Sequence, residues 1–581
     1  MGSSLPPVVL AAVQRRMEAL SAIGRRVLQV ASVMGTTFSE EIVAMIEPRA
    51  NEGFIEAHSA GLVTRGRAGV SSVFQHAVVA DAAYQLLGDA DRIALHDQIG
   101  RLLEDEGADP IEVFSHCRAA FSFDSLRASR QSVLAAQQHL EAFDWEGAVE
   151  TASWALGHVH PSHGHRLSIA KARGELALGV AGSHLRLVEG ARRADATGDG
   201  QALIEATIEI CNSGSAALTG LDVEVVKELV DASLLAVEDG EELHELRAAA
   251  ARAFVFSKYG AFGQGLYREA FVDYDECDRR VQELILRNSE AGLSDPDDFG
   301  LVQRATMLLN QEAEQNPELR WLARWFQFRD ALIDGDGDRL GWALRDIRSS
   351  ANQLERRHTF VVLGKTFDMQ MQQSWAEATM ALIHDDFDLA EECAEHALQL
   401  GLEQLAVRND GFGEAWVTAS YGLLLLAIRH GQGRLAELVD VVETSAPLVP
   451  AWRVAIVIAN HAAGNTERVR AELDALTANG FEALVPDPTW TAATFLLAEP
   501  VAEMCDPAVA VQLYDMISPF QERMSFSGLC TFGPMHEACA ALCRALGKTE
   551  LEKVHREQAR VRVRRLQQRS RWAYEELVAS K

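Results

Sequence analysis

The chain has 581 residues, of which 48% are apolar and 24% charged, proportions of an ordinary globular protein that exclude a collagen-like or disordered chain. Its 84 acidic residues against 54 basic ones leave a net charge of −30, which repels nucleic acid wherever no local basic face exists. Eight scattered cysteines without a CxxC pair favour reduced thiols over a disulfide framework, and the longest strongly apolar run, 421–428, is far too short to span a membrane.

In chain order, the opening segment MGSSLPPVVLAAVQRRM has no basic stretch followed by an apolar core, so no secretory leader is expected. Short helices are predicted at 9–20, 24–33, 40–46 and 52–60. The segment 62–77 (LVTRGRAGVSSVFQHA) has two β-prone runs around a glycine-containing turn and predicts a hairpin. Helix resumes at Asp81. Short helices followed by a hairpin form a winged-helix pattern, assigned to residues 1–106.

Beyond residue 100 nearly everything reads as helix, rich in Ala, Leu, Glu and Arg with apolar residues three and four apart. Small residues recur at intervals of twelve and seven: Ala136, Ala148 and Ala155, then Ala378, Ala390 and Ala397. Phe143-Asp144 and Asp385-Asp386 supply the turns. Looser copies are Ala498, Ala510 and Ile517, and Leu424, Ala436 and Glu443. Paired helices approach closely only where facing side chains are small, so this spacing predicts stacked helix pairs and resembles the tetratricopeptide pattern. The polar stretch 288–300 (NSEAGLSDPDDFG) divides a first helical block, 107–290, from a second, 300–581, which ends in a basic helix. The expected fold is mainly α: an N-terminal winged-helix domain followed by an α-solenoid of degenerate tetratricopeptide-like pairs.

The first 105 residues resemble the region after the ATPase core of bacterial STAND-type regulators, the LuxR-type large ATP-binding and cyclase-linked families. The resemblance is carried by Leu5-Pro6, Val9, Val13, Arg16, Leu20, Arg26-Val27-Leu28, Gly35 and Phe38. It continues through Phe74, His76-Ala77, Asp81-Ala82-Ala83-Tyr84, Leu95-His96 and Leu103-Glu104. It implies a winged helix and repeat array that follow a nucleotide-driven ATPase. A phosphate-binding loop needs a glycine-rich turn ending in Gly-Lys-Ser/Thr after a strand. Gly364-Lys365-Thr366 has Thr359 in place of the first glycine, and Gly547-Lys548-Thr549 has Leu542, so ATP hydrolysis is not expected.

Several residues are candidates for chemistry. By resemblance, His76 contacts a nucleotide phosphate if an ATPase is supplied by another chain. Its plain reading is a partly buried histidine that caps the next helix. His158, His160, His163 and His165 (HVHPSHGHR) put four imidazoles within eight residues, enough for Zn²⁺ or Ni²⁺, yet Pro161 and Gly164 read as an inter-repeat loop. Cys530, His536, Cys539 and Cys543 fit one helical face and read as core. Trp321, Trp325, Trp375, Trp416 and Trp452 are candidates for core or groove, core being the default. Helix 50–60 carries Glu52 and Glu56 and no Arg or Lys, which argues against reading a DNA groove. Between Lys553 and Arg571 eight basic residues face Glu557 alone, and docking on an acidic face of the array is expected.

The resulting expectation is a non-catalytic, cytoplasmic regulatory module without a cofactor, whose groove binds a protein or peptide. A separate ATPase or output protein is a further possible partner, and neither membrane nor DNA is expected. The alternative is a fragment of an ATP-dependent LuxR-type regulator or cyclase-linked ATPase.

Overall fold

The computed structural model describes residues 7–66, 71–314, 316–356, 365–408, 414–444 and 452–581. Leu5-Pro6, the hairpin tip 67–70, and Thr359 and Gly364 lie outside the described residues. The fold is mainly α, and the described residues form two compact units, Met1–Glu175 and Leu176–Lys581.

The first unit opens with Pro7–Glu18 and Ala22–Met34, the latter started by Ser21, whose hydroxyl accepts from the Gly24 N–H at 3.1 Å. Strand β1 (Thr37–Phe38) and helices Glu40–Ile46 and Ala50–Ser59 follow. Strands β2 (Val63–Arg65) and β3 (Ser72–Phe74) complete a three-stranded antiparallel sheet of order β1-β3-β2, with Thr37 opposite Val73 and Val63 opposite Phe74. Phe38, Phe54 and Phe74 are buried under this sheet, Phe38 lying 5.9 Å from the Phe54 ring and 5.2 Å from the Phe74 ring. Gly53 lets helix Ala50–Ser59 approach helix Ala22–Met34, since a Cβ there would stand 2.7 Å from Val27.

The expected boundary at residue 106 is not a break in packing. Val113, Cys117 and Ala128 belong to the same apolar core as Val27 and Leu95. The buried Arg127 guanidinium pairs with Asp97 at 3.3 Å and Glu104 at 2.7 Å, which ties helix Ser125–Glu141 to helix Asp89–Asp105. Helix Ser125–Glu141 then packs on Trp145–His158, with Ala136, Ala148 and Ala155 all fully buried.

The second unit is an α-solenoid of helix pairs. Lys365–Ile383 packs on Phe387–Arg408, and Trp490–Met504 on Pro507–Ile517. Ala378, Ala390 and Ala397 are buried, as are Ala498, Ala510 and Ile517. The fourth spacing fails: Ala436 and Glu443 are exposed, because the segment after Gly433 folds as a 3₁₀ turn, Leu435–Leu438, and a short helix, Val439–Thr444. The polar stretch 288–300 does not separate blocks. Arg268 pairs with Asp298 at 2.8 Å and Asp295 at 3.0 Å, and one apolar core runs from Ala248 to Leu577.

One turn recurs in both units. Phe143 and Asp385 hold left-handed φ values of 59° and 58°, and Gly198 and Gly335 do the same at 71° and 67°. In each case the next residue is Asp, whose N–H returns to a carbonyl five residues back and whose side chain caps the following helix. A helix end and the next helix start are thus fixed within two residues.

Candidate functional site

His76 sits at the N-cap position of Ala77–Gln85 in an extended conformation (φ −141°, ψ 137°). Its side chain is exposed and makes no cap hydrogen bond, so the partly buried capping role read from sequence is not what the structure has. The cap is supplied by the backbone instead, the Val79 N–H donating to the His76 carbonyl at 2.9 Å.

The four histidines of the HVHPSHGHR segment face different partners. The His158 ring stacks on Trp154 at 5.1 Å, and its Nδ1 meets the Trp154 carbonyl at 2.8 Å. His160 Nδ1 accepts from Ser162, and His163 Nδ1 lies 3.3 Å from Ser129 Oγ. His165 is half-buried in helix Gly164–Ala177. Among the described residues no three His, Cys, Asp or Glu side chains are grouped to hold a metal ion.

Cys530, Cys539 and Cys543 are buried, and burial pushes the first two thiols up to about 12. His536 is also buried but has polar company. Its Nε2 donates to Glu522 Oε1 at 3.2 Å, and its Nδ1 faces His555 Nδ1 at 2.9 Å. The Tyr514 hydroxyl lies 3.3 Å from His555 Nε2. Burial holds both imidazoles below their usual range. The first unit repeats this arrangement: Tyr84, His96 and His116 are joined by contacts of 3.0 Å each. Neither chain was readable in sequence, because its rings lie twelve to 41 residues apart.

Trp321, Trp325 and Trp375 are core, while Trp416 and Trp452 are half-buried. Gly547, at φ +67°, and Lys548 form a turn between two helices rather than a strand-to-helix loop.

The basic segment belongs to the 32-residue helix Thr549–Ser580, which lies along Met535–Ala545 and Gly337–Arg356. Arg562 pairs with Glu522 at 2.7 Å, and Arg569 with Asp338 at 3.2 Å. The Tyr574 hydroxyl donates to Asp386 at 2.7 Å, and its ring stacks on His384 at 4.4 Å. At the helix end, Lys581 and Arg348 both reach the buried Glu377, at 3.1 and 3.2 Å. Gly337 and Gly341, one turn apart, make this fit possible. A Cβ at Gly337 would stand 2.5 Å from the Leu566 carbonyl, and one at Gly341 2.8 Å from the Trp572 ring.

No protein-family model matches the chain, and no curated protein sequence matches it. Among solved structures, it is similar to a STAND (Signal Transduction ATPase with Numerous Domains) protein with a tetratricopeptide repeat sensor from Pyrococcus horikoshii, at 11% identity and a TM-score of 0.36. That match covers 81% of this chain, which spans only 65% of the archaeal chain's length. The Cut9–Hcn1 hetero-tetramer of the APC/C matches at 13% identity and a TM-score of 0.34, covering 84% of this chain and 93% of that one. Among the described residues no helix is long and apolar enough to cross a membrane.

Proposed function

We propose that the chain is a non-catalytic regulatory module that binds a protein or peptide on its helical array in the cytoplasm. The observation that carries this reading is the stack of helix pairs in Leu176–Lys581. Each pair is closed by small buried residues such as Ala378 and Ala390, so the core lies between neighbours and the remaining helix faces are available for recognition. Immobilised full-length chain, exposed to an extract of its source cell, should retain a protein that then binds the purified chain in calorimetry. If no protein is retained at physiological salt, this reading fails.

The order helix, strand, helix, helix, hairpin in the first unit, with its β1-β3-β2 sheet, supports a winged-helix domain there. Helix Ala50–Ser59 carries Glu52 and Glu56, and Glu52 neutralises Arg49 at 2.6 Å, so this domain is read as a regulatory spacer rather than a DNA reader. Salt-sensitive binding to duplex DNA would overturn that.

A second reading, a portion of an ATP-dependent STAND-type regulator, is favoured by this domain standing ahead of a helical array. Under it, the exposed His76 is the nucleotide-sensing residue toward an ATPase supplied in trans. Loss of ATPase stimulation on His76→Ala, with the melting temperature unchanged, is its test.

A further inference from the structure

We propose that the seam between helices Gly337–Arg356 and Thr549–Ser580 is a docking surface for an acidic protein segment carrying an apolar anchor. The proposal deepens the protein-binding reading and rests on it.

The first observation is an aromatic pair with one exposed ring. Trp342 is 57% exposed, and its ring centroid lies 5.0 Å from that of Trp572 on the facing helix. The Arg345 guanidinium lies 5.5 Å from the Trp342 ring. Exposed Trp flanked by Arg is the composition of a binding hot spot, because a large rigid ring gains from being covered and the cation orients what covers it.

The second observation is a pair of cations without counter-charges. From Lys553 to Arg571, six basic side chains each have a carboxylate within 4.0 Å. Arg564 and Arg565 are exposed and have no such partner among the described residues. Arg565 precedes Trp572 by seven residues, two helical turns, so both lie on one flank. The 42%-exposed Val561 stands one turn earlier on that flank. From Val561 to Trp572 this strip runs roughly 16 Å, the length of about five extended residues.

Charge selects the occupant. Two adjacent exposed guanidinium groups without a carboxylate partner, on a helix whose other basic side chains are paired, have an anionic complement. A continuous phosphate backbone would also meet Asp338 and Glu576, which pair across the seam with Arg569 and Arg345. A polypeptide can set its carboxylates against Arg564 and Arg565 and its apolar side chain against Trp342.

The test places a photo-cross-linker in the full-length chain at Gln568, between Arg565 and Trp572, and at the remote, 90%-exposed Leu235 as control. The probe is the extract of the source cell. The expected result is a cross-link at Gln568, and not at Leu235, to a segment rich in Asp and Glu. It should fall at least tenfold in R564E/R565E and in W342A, with melting temperatures unchanged. If proteins are retained by the chain but none cross-links at Gln568, the seam is wrong and the protein-binding reading stands. If nothing is retained, both fail. A cross-link to nucleic acid, to a second copy of this chain, or to a segment without acidic residues overturns the proposed occupant.

Discussion

Nδ1 of His536 and Nδ1 of His555 stand 2.9 Å apart, so a single proton lies between two buried rings. Because His536 Nε2 donates to Glu522, its Nδ1 accepts, His555 Nδ1 donates, and His555 Nε2 accepts from Tyr514. In this arrangement a second proton on His536, at Nδ1, would set two N–H groups against each other. His96 and His116 also face each other through Nδ1 atoms, 3.0 Å apart, and burial lowers both to about 4.

The pH dependence follows in sign. These folded-state values lie below the unfolded value of about 6.5, so the unfolded chain binds more protons as pH falls. The stabilisation is complete above about 6.5 and is lost as pH falls toward 4. For His96 and His116 the loss is on the order of 3 kcal/mol per proton taken up. Urea midpoints measured between pH 7.5 and 4.5 should fall, and His96→Gln with His116→Gln should flatten that fall. An equal fall in the double variant would refute this assignment.

Asp385 and Asp386 are chemically identical neighbours with different expected responses. Asp385 occupies a left-handed conformation at φ 58°, which glycine adopts without strain, and its side chain accepts one exposed hydrogen bond from Gln567 at 3.1 Å, so Asp385→Gly should change stability by less than about 1 kcal/mol. Asp386 caps helix Phe387–Arg408 through the Leu389 N–H at 3.2 Å and also accepts from Tyr574. Asp386→Ala should therefore cost about 1–2 kcal/mol. Thermal melts of both variants decide it, and equal shifts in the same direction would contradict the turn chemistry.

The helix pairs were legible in sequence because their signal is local. Ala136, Ala148 and Ala155, like Ala378, Ala390 and Ala397, lie within one helix-turn-helix, and each mark is a buried small side chain. The failed copy at Leu424, Ala436 and Glu443 matched only the interval; a glutamate at the third position carries no packing signal. The non-helical segment around Met524–Pro534 was not legible either. It is buried and held by distant groups, the Met524 N–H donating to the Ile333 carbonyl at 2.8 Å and the Thr379 hydroxyl to the Leu529 carbonyl at 3.1 Å. Docking of the basic helix on acidic groups was readable from charge. Its Trp342–Trp572 contact was not, since the two residues are 230 positions apart.

Overpacking a crossing tests whether the small residues set the helix spacing. Ala390 is fully buried where Phe387–Arg408 meets Lys365–Ile383. Ala390→Leu should destabilise by about 1–3 kcal/mol, whereas Ala436→Leu, at an exposed position of the failed copy, should shift stability by less than about 0.5 kcal/mol. Comparable losses at the two positions would mean that the small-residue interval does not define the crossing.

Release of the basic helix is the last expectation, and Gly341 is the place to provoke it. A side chain there meets the Trp572 ring at 2.8 Å and the Ala573 Cβ at 3.1 Å, and Ala573 and Leu577 are buried beside that ring's helix position. Gly341→Val should lift the second half of Thr549–Ser580 from Gly337–Arg356. The first half keeps the His536–His555 contact and the Arg562–Glu522 pair, so it should stay docked. Hydrogen exchange followed by mass spectrometry should show amides of 566–580 exchanging at least tenfold faster than in the parent chain, while those of 550–562 change little. Uniform acceleration along the whole helix would mean that it docks as one rigid rod, and unchanged rates would mean that Gly341 is not the contact that sets its position.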